Sequence, residues 1–296
     1  MLNASLILLN ILLYTMQTLF FKMYADRYPG KARHASYVYL SVGGIFAAFV
    51  SYAVNGFNFE FNTLTFIFGV IEAAVFFLYY YSFNLASGSG PYSIVMLFSV
   101  VGGMCIPILT SFIAFGEAPS VWQILCYLVV FCASWFVVKK PEENENKVKT
   151  KKGFFIAVSV VGFVNGLFGG IINLQHAYTG ASQKDEMLIY TYLLTALFSL
   201  FFLVFQNKKE IGPVFKQTRG SFLFMVLAAV VAASAVNMLV FIAEFINVNL
   251  LWTFNSSGVL VFSVIASAII FKEKMSRQNI IACAVIAVML VVISVV

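Results

Sequence analysis

Charge is what this chain has least of. Only 10% of its 296 residues are Asp, Glu, Lys or Arg, while 61% are hydrophobic. Soluble domains run about 25% charged and about 45–50% apolar, so a soluble enzyme and a disordered chain are both excluded. Cysteine is scarce too. The four, Cys105, Cys126, Cys132 and Cys283, lie in apolar runs without Cys-x-x-Cys spacing, which excludes a secreted disulfide scaffold and a thiolate metal site and leaves buried free thiols as the expectation. Only two histidines occur, His34 and His176, too few and too peripheral for a metal centre. His-Glu-x-x-His, Gly-x-Ser-x-Gly, paired intramembrane Asp and a phosphate-binding Gly-rich loop are all missing. Neither a cofactor nor nucleotide-driven pumping is therefore expected.

What the chain does have is apolar length. Mean hydropathy is +0.94, and at roughly 20 residues per crossing the chain accommodates about ten. A lipid-facing backbone must satisfy its own hydrogen bonds, and the runs are too continuous for barrel strands, so helices follow. Ten spans are expected over about 4–24, 35–54, 62–85, 91–115, 120–139, 153–176, 187–206, 220–246, 248–271 and 278–296. Turn-forming pairs such as Pro29-Gly30, Asn55-Gly56 and Gly212-Pro213 separate them. No basic residue precedes the first run, so it reads as a transmembrane helix rather than a signal peptide.

The basic residues are arranged with a bias. Of the 18 Lys and Arg, 17 flank the odd-numbered connections and only Lys184 falls on an even one. By the positive-inside rule the odd connections face the cytoplasm and both termini face outward. The net charge of +6 then serves orientation and anionic headgroups rather than nucleic acid. The longest polar stretch, Lys139–Lys152, leaves five spans on each side, dividing the chain into 1–140, a charged loop 141–152, and 153–296.

The two segments share a short motif. Phe115-Gly116-Glu117-Ala118-Pro119-Ser120 and Phe271-Lys272-Glu273-Lys274-Met275-Ser276 match as Phe-x-Glu-x-x-Ser, 156 residues apart, with Ser111 and Ser267 at the same offset. Ser120 and Ser276 suit helix N-caps, and Gln123 completes a capping box with Ser120. Five spans per copy is an odd number, so the second copy is inverted in the membrane, an arrangement that transporters use. The expected fold class is thus an all-α integral membrane protein of ten transmembrane helices in two inverted five-helix repeats.

With FGEAPS, FKEKMS, Pro107 and the five-plus-five layout, the chain resembles the drug/metabolite transporter superfamily in its ten-helix EamA-like branch. The resemblance implies a secondary transporter in a bacterial-type plasma membrane, moving an amino acid, an amine or another small metabolite by alternating access, with protons as the candidate coupling ion. A monomer is implied, with a dimer as the alternative. Two features depart from the pattern. Ser263 stands where Pro107 would recur, and the charge bias places the termini outside where many relatives carry basic termini inside, which leaves transport direction open. A membrane-embedded receptor or an enzyme without a recognisable motif is the alternative; a receptor would more often append a soluble domain.

Candidate site residues follow from cost. An ionisable group within a span costs about 3 kcal/mol on insertion scales, which singles out Glu72 in span 3 and Glu244 near the end of span 8. Glu72 reads either as a proton-coupling or cation-recognising group or as a hydrogen-bonded structural acid. Glu244 reads more readily as an interfacial residue. Tyr79 and Tyr80 share a helical stripe with Glu72 and could hold an ammonium by cation–π attraction, while at least one of Tyr79, Tyr80 and Tyr81 belongs to an interfacial belt. Amides and hydroxyls complete the set: Asn165, Asn173 and Gln175 in span 6, Asn237 in span 8, Asn255, Ser256 and Ser257 in span 9, Asn10 and Gln17 in span 1. Together they suggest a polar cavity; singly they suit interhelical bonding. Pro107 is a candidate helix break.

Overall fold

The computed structural model of the protein describes residues 2–87, 89, 92–116, 118–138, 153–179, 183–207, 211–246, 248–270 and 277–293. The polar stretch Lys139–Lys152, Glu117 and the second motif, Phe271–Ser276, lie outside the described residues. Among the described residues the chain is helical, without strands. The helices are α1 (Leu2–Arg27), α2 (Ala32–Val38), α3 (Gly44–Val54), α4 (Thr63–Ser87), α5 (Tyr92–Phe115), α6 (Val121–Val138), α7 (Phe154–Thr179), α8 (Lys184–Asn207), α9 (Ile211–Lys216), α10 (Phe222–Ile242), α11 (Val248–Ile270) and α12 (Arg277–Ile293). A π turn, Tyr39–Gly43, joins α2 to α3 without a break. Among the described residues seven helices are long and apolar enough to cross a membrane: Ala4–Arg27, Arg33–Val54, Thr63–Ser87, Phe98–Phe115, Phe154–Thr179, Lys184–Phe205 and Phe222–Ile242. The protein is a multi-pass, all-α integral membrane protein.

Local chemistry sets the helix ends. Before α6 the expected capping box forms in both directions: Gln123 N–H donates to Ser120 Oγ at 3.1 Å and Ser120 N–H to Gln123 Oε1 at 2.9 Å. Asn62 caps α4 by accepting from the backbone N–H of Leu64 and Thr65. Gly116 follows α5 with φ +69°, the left-handed conformation that closes a helix at little cost for glycine.

The exterior is apolar and the interior carries the polar groups, the inverse of a soluble bundle. Ile113, Val121, Ile156 and Phe205 face outward, whereas Asn10, Gln17, Glu72, Asn173, Asn237 and Asn255 are buried. The cysteines correct one expectation. Cys126 is buried, but Cys105 and Cys132 lie exposed on the outer helix surface, because lipid accepts a thiol as readily as a core does; the side chain of Cys283 lies outside the described residues.

Between helices in lipid, association rests on close van der Waals packing rather than on water exclusion, so small residues mark the crossings. At the crossing of α5 and α7 a Cβ on Gly102 would lie 1.7 Å from the Gly162 carbonyl oxygen, and one on Gly166 2.3 Å from that of Gly102. A Cβ on Gly44 would stand 2.9 Å from the Tyr192 carbonyl, where α3 meets α8. Further pairings join α1 with α10 and α11, α4 with α7 and α8, α3 with α10, α5 with α11, and α6 with α12. Helices from before and after the 141–152 stretch are thereby interleaved.

The connections gather at alternate ends. At one end Asn55 donates to Glu186 at 3.1 Å, Thr65 donates to Gln183 at 3.4 Å, and Lys184 pairs with Glu244. At the other, the Tyr28 hydroxyl donates to the Val214 carbonyl at 3.2 Å and the Arg27 guanidinium sits 4.0 Å over the Phe224 ring. Burial pushes the Tyr28 hydroxyl up to about 12, so it stays a donor throughout the physiological range.

Candidate functional site

Polar side chains on the inward stripes of six helices converge on one cavity of about 80 Å³, room for several waters. Helix α1 supplies Tyr14, Gln17 and Thr18 from successive turns, and α4 supplies Phe76, Tyr79 and Tyr80. Ser99 comes from α5, Asn165 and Phe168 from α7, Val236 from α10, and Trp252, Asn255 and Ser256 from the first turns of α11. The i, i+3, i+4 and i+7 spacing within α1, α4 and α11 puts each group on one face.

Hydrogen bonds lock the wall. Asn10 donates to Asn255 Oδ1 at 3.1 Å across α1 and α11, and Gln17 Nε2 donates to the Tyr80 hydroxyl. The Tyr79 hydroxyl meets Ser99 Oγ at 3.2 Å, and Asn165 Nδ2 donates to the Ser99 carbonyl at 2.8 Å. Gln17 Oε1, although buried, has no hydrogen-bond partner. Among the described residues no Lys, Arg, His, Asp or Glu lines the cavity.

Glu72 stands just outside it. Its side chain is 0% exposed, and neither carboxyl oxygen meets a partner among the described residues, an arrangement that is expensive for an ion. Phe76, one turn further along α4, forms the cavity wall in its place. The Phe76 ring packs against Tyr80 at 4.8 Å, Phe168 at 5.6 Å and Tyr192 at 5.4 Å between centroids. Tyr14 and Tyr192 lie within electrostatic reach of the Glu72 carboxyl, and the Tyr192 hydroxyl is also without a partner.

The fold has a solved counterpart. A structure described only as "Crystal structure of protein" superposes with a TM-score of 0.64 at 12% identity, covering 99% of this chain and 97% of that chain. At that identity the likeness concerns the fold alone. No family model matches the chain, and no curated protein matches it.

Of the residues singled out from sequence, Tyr79, Tyr80, Asn165, Asn255 and Ser256 meet at the cavity, with Gln17. Asn237 turns elsewhere. Its Nδ2 donates to Ser51 Oγ at 2.9 Å and to the Ala233 carbonyl at 2.7 Å, joining α10 to α3, while its neighbour Val236 faces the cavity, one residue being a 100° step around the helix. Pro107 leaves α5 unbroken. Its carbonyl accepts from Asn173 Nδ2 at 3.0 Å, and Asn173 Oδ1 accepts from Trp252 Nε1 at 3.1 Å, so one amide ties α5, α7 and α11 together. Tyr81 stacks on Tyr37 and Phe77, away from the cavity. Glu244 lies in a turn beyond the end of α10 and pairs with Lys184 at the start of α8. His176 sets its ring edge against Phe115.

Tyr14, Ser99, Phe76 and Tyr192 escaped the sequence reading. Tyr14 had a signal, since it sits between Asn10 and Gln17 at i+4 and i−3. The others are ordinary residues of apolar runs, and only the packing of neighbouring helices turns them toward the site.

Proposed function

We propose that the chain crosses the membrane ten times, as two inverted five-helix repeats, and acts as a secondary transporter of a small organic metabolite by alternating access. The pairing of helices supports the repeat. Shifting each crossing by five places sends α1 to α7, the α2–α3 helix to α8, α4 to α10, α5 to α11 and α6 to α12. Under that shift α1–α10 becomes α7–α4, α4–α8 becomes α10–α3, and α5–α7 becomes α11–α1, all of which are pairs in the bundle. The pairs α6–α12, α5–α11 and α3–α8 map onto themselves. Such self-mapping is what a pseudo-twofold axis would produce, and an odd number of crossings per repeat would lay that axis in the membrane plane.

The observation that carries transport is the cavity, walled by α1, α4 and α5 from the first repeat and by α7, α10 and α11 from the second. A site at a repeat interface opens to either side when one repeat rocks against the other. Membership of the EamA-like drug/metabolite transporters, residence in the plasma membrane, and termini facing outward belong to the same proposal. Glu72 serves coupling: a buried carboxyl without a partner, one turn behind the cavity wall, takes up and releases a proton as the wall moves. The test is proton flux. Liposomes containing the protein and a trapped pH dye would report proton movement on addition of amino acids, amines and nucleobases in turn. Saturable flux for one class, abolished in Glu72→Gln, is the expected result; proton fluxes no larger than in empty liposomes would overturn the proton-coupled transport reading.

A further inference from the structure

We infer that the central cavity selects an electrically neutral, planar ligand with amide-like hydrogen-bonding edges, and that Glu72 is not a counter-ion for it. The inference rests on reading the cavity as the transport site.

A charged ligand entering a low-dielectric cavity loses its hydration, and ring faces and neutral dipoles recover only part of it without an opposite charge in contact. The described wall offers none of either sign. Glu72 is not among the lining residues; one turn on, the Phe76 ring lines the cavity instead, held by Tyr80, Phe168 and Tyr192. An ammonium in the cavity would therefore meet ring faces and amides but no carboxylate, and a carboxylate or phosphate would meet no cation.

The wall does offer flat faces and neutral dipoles. Phe76, Tyr79, Phe168 and Trp252 present aromatic surface, which packs against planar ligands. Hydrogen-bonding capacity is left over in a paired form. Gln17 Oε1 is buried and without a hydrogen-bond partner among the described residues, an acceptor left open, while its amide nitrogen donates to Tyr80. On α11 the Ser256 hydroxyl lines the cavity beside Asn255, whose oxygen accepts from Asn10. An acceptor on α1 and a hydroxyl on α11 match a ligand whose edge carries both N–H and C=O, as a primary amide or a lactam does.

Three near-isosteres that differ in charge and in the hydrogen-bonding edge they present test this: benzamide (neutral, donor and acceptor), benzamidine (cationic, donors only) and benzoate (anionic, acceptors only), titrated calorimetrically into the protein in lipid nanodiscs. Benzamide should bind saturably and at least about tenfold tighter than either ion, and Gln17→Leu and Ser256→Ala should each weaken it by about tenfold, the effect of one lost hydrogen bond at a desolvated site. The second variant keeps the test open should the first fail to fold. Tightest binding of benzamidine with loss in Glu72→Gln, tightest binding of benzoate, or no saturable binding of benzamide would each overturn the inference. Liposome flux separates this from the transport reading. Saturable flux of a charged metabolite would sink the neutral-ligand inference alone, whereas benzamide binding with no flux of any compound would sink transport alone.

Discussion

Adding one methyl group at Gly102 should loosen the whole molecule. The α5 and α7 backbones cross so closely there that a Cβ would stand 1.7 Å from the Gly162 carbonyl oxygen and 2.8 Å from its Cα. Both are backbone atoms, so no rotamer change relieves the clash. Real Cβ contacts essentially never fall under 3.0 Å, so the helices must part by about 1.3 Å. A gap of 0.5–1 Å already forfeits about a quarter to a half of each dispersion contact, at about 0.1–0.2 kcal/mol per atom pair. Over several tens of pairs along the crossing that loss is of order 3 kcal/mol. Alanine's better helix propensity returns about 1 kcal/mol, leaving Gly102→Ala destabilised by about 2 kcal/mol, within the usual range for overpacking. Thermal unfolding in mild detergent measures it, with Gly212→Ala as control because nothing lies within 4 Å of a Cβ there. Ser99 and Asn165 ride on the same two helices, so the variant should also weaken ligand binding at the cavity. Equal stability of Gly102→Ala and the parent would refute the close crossing.

Other consequences are smaller and equally direct. Asn173→Ala removes the amide that joins the Pro107 carbonyl to the Trp252 indole, and should cost about 1–3 kcal/mol by leaving buried groups unpaired; a loss below 0.5 kcal/mol in the same unfolding assay would count against that junction. A double-mutant cycle over Asn10 and Asn255 should give a coupling of about 0.6 kcal/mol and at most about 1.7 kcal/mol, as interhelical bonds in membranes do. Lys184→Ala should cost no more than about 1 kcal/mol, and less in high salt, because the pair sits at the bundle rim with side chains 12% and 25% exposed. Single cysteines at Asn58 and Lys31, in an otherwise cysteine-free chain, should react with an impermeant thiol reagent from opposite membrane faces; labelling of both from one face would contradict the alternation of ends.

Much of the fold was legible because lipid leaves a chain few choices. A run of apolar residues long enough to cross must be helical, so the helix positions follow from hydropathy, and the capping box at Ser120 and Gln123 follows from two side chains at fixed spacing. The site was legible only in part. Polar residues in a span must point inward, so Tyr79, Tyr80, Asn165, Asn255 and Ser256 could be found from their cost alone, but an inward direction does not name a destination.

Destination is decided by rotation about each helix axis and by which neighbour fills the facing groove. Asn237 and Val236 are adjacent in sequence, yet one bonds to Ser51 on α3 and the other faces the cavity. Glu72 and Phe76 share a stripe, yet only Phe76 reaches the wall. Glu244 was legible only as a residue near a span end; its partner, Lys184 from a helix 60 positions away, is supplied by the packing once α10 ends at Ile242. The scarcity of charge determined by itself that the protein lives in a membrane and how its elements form, since a helix satisfies its backbone from within. Which inward groups meet one another belongs to the tertiary structure alone, because it depends on contacts between helices far apart in sequence.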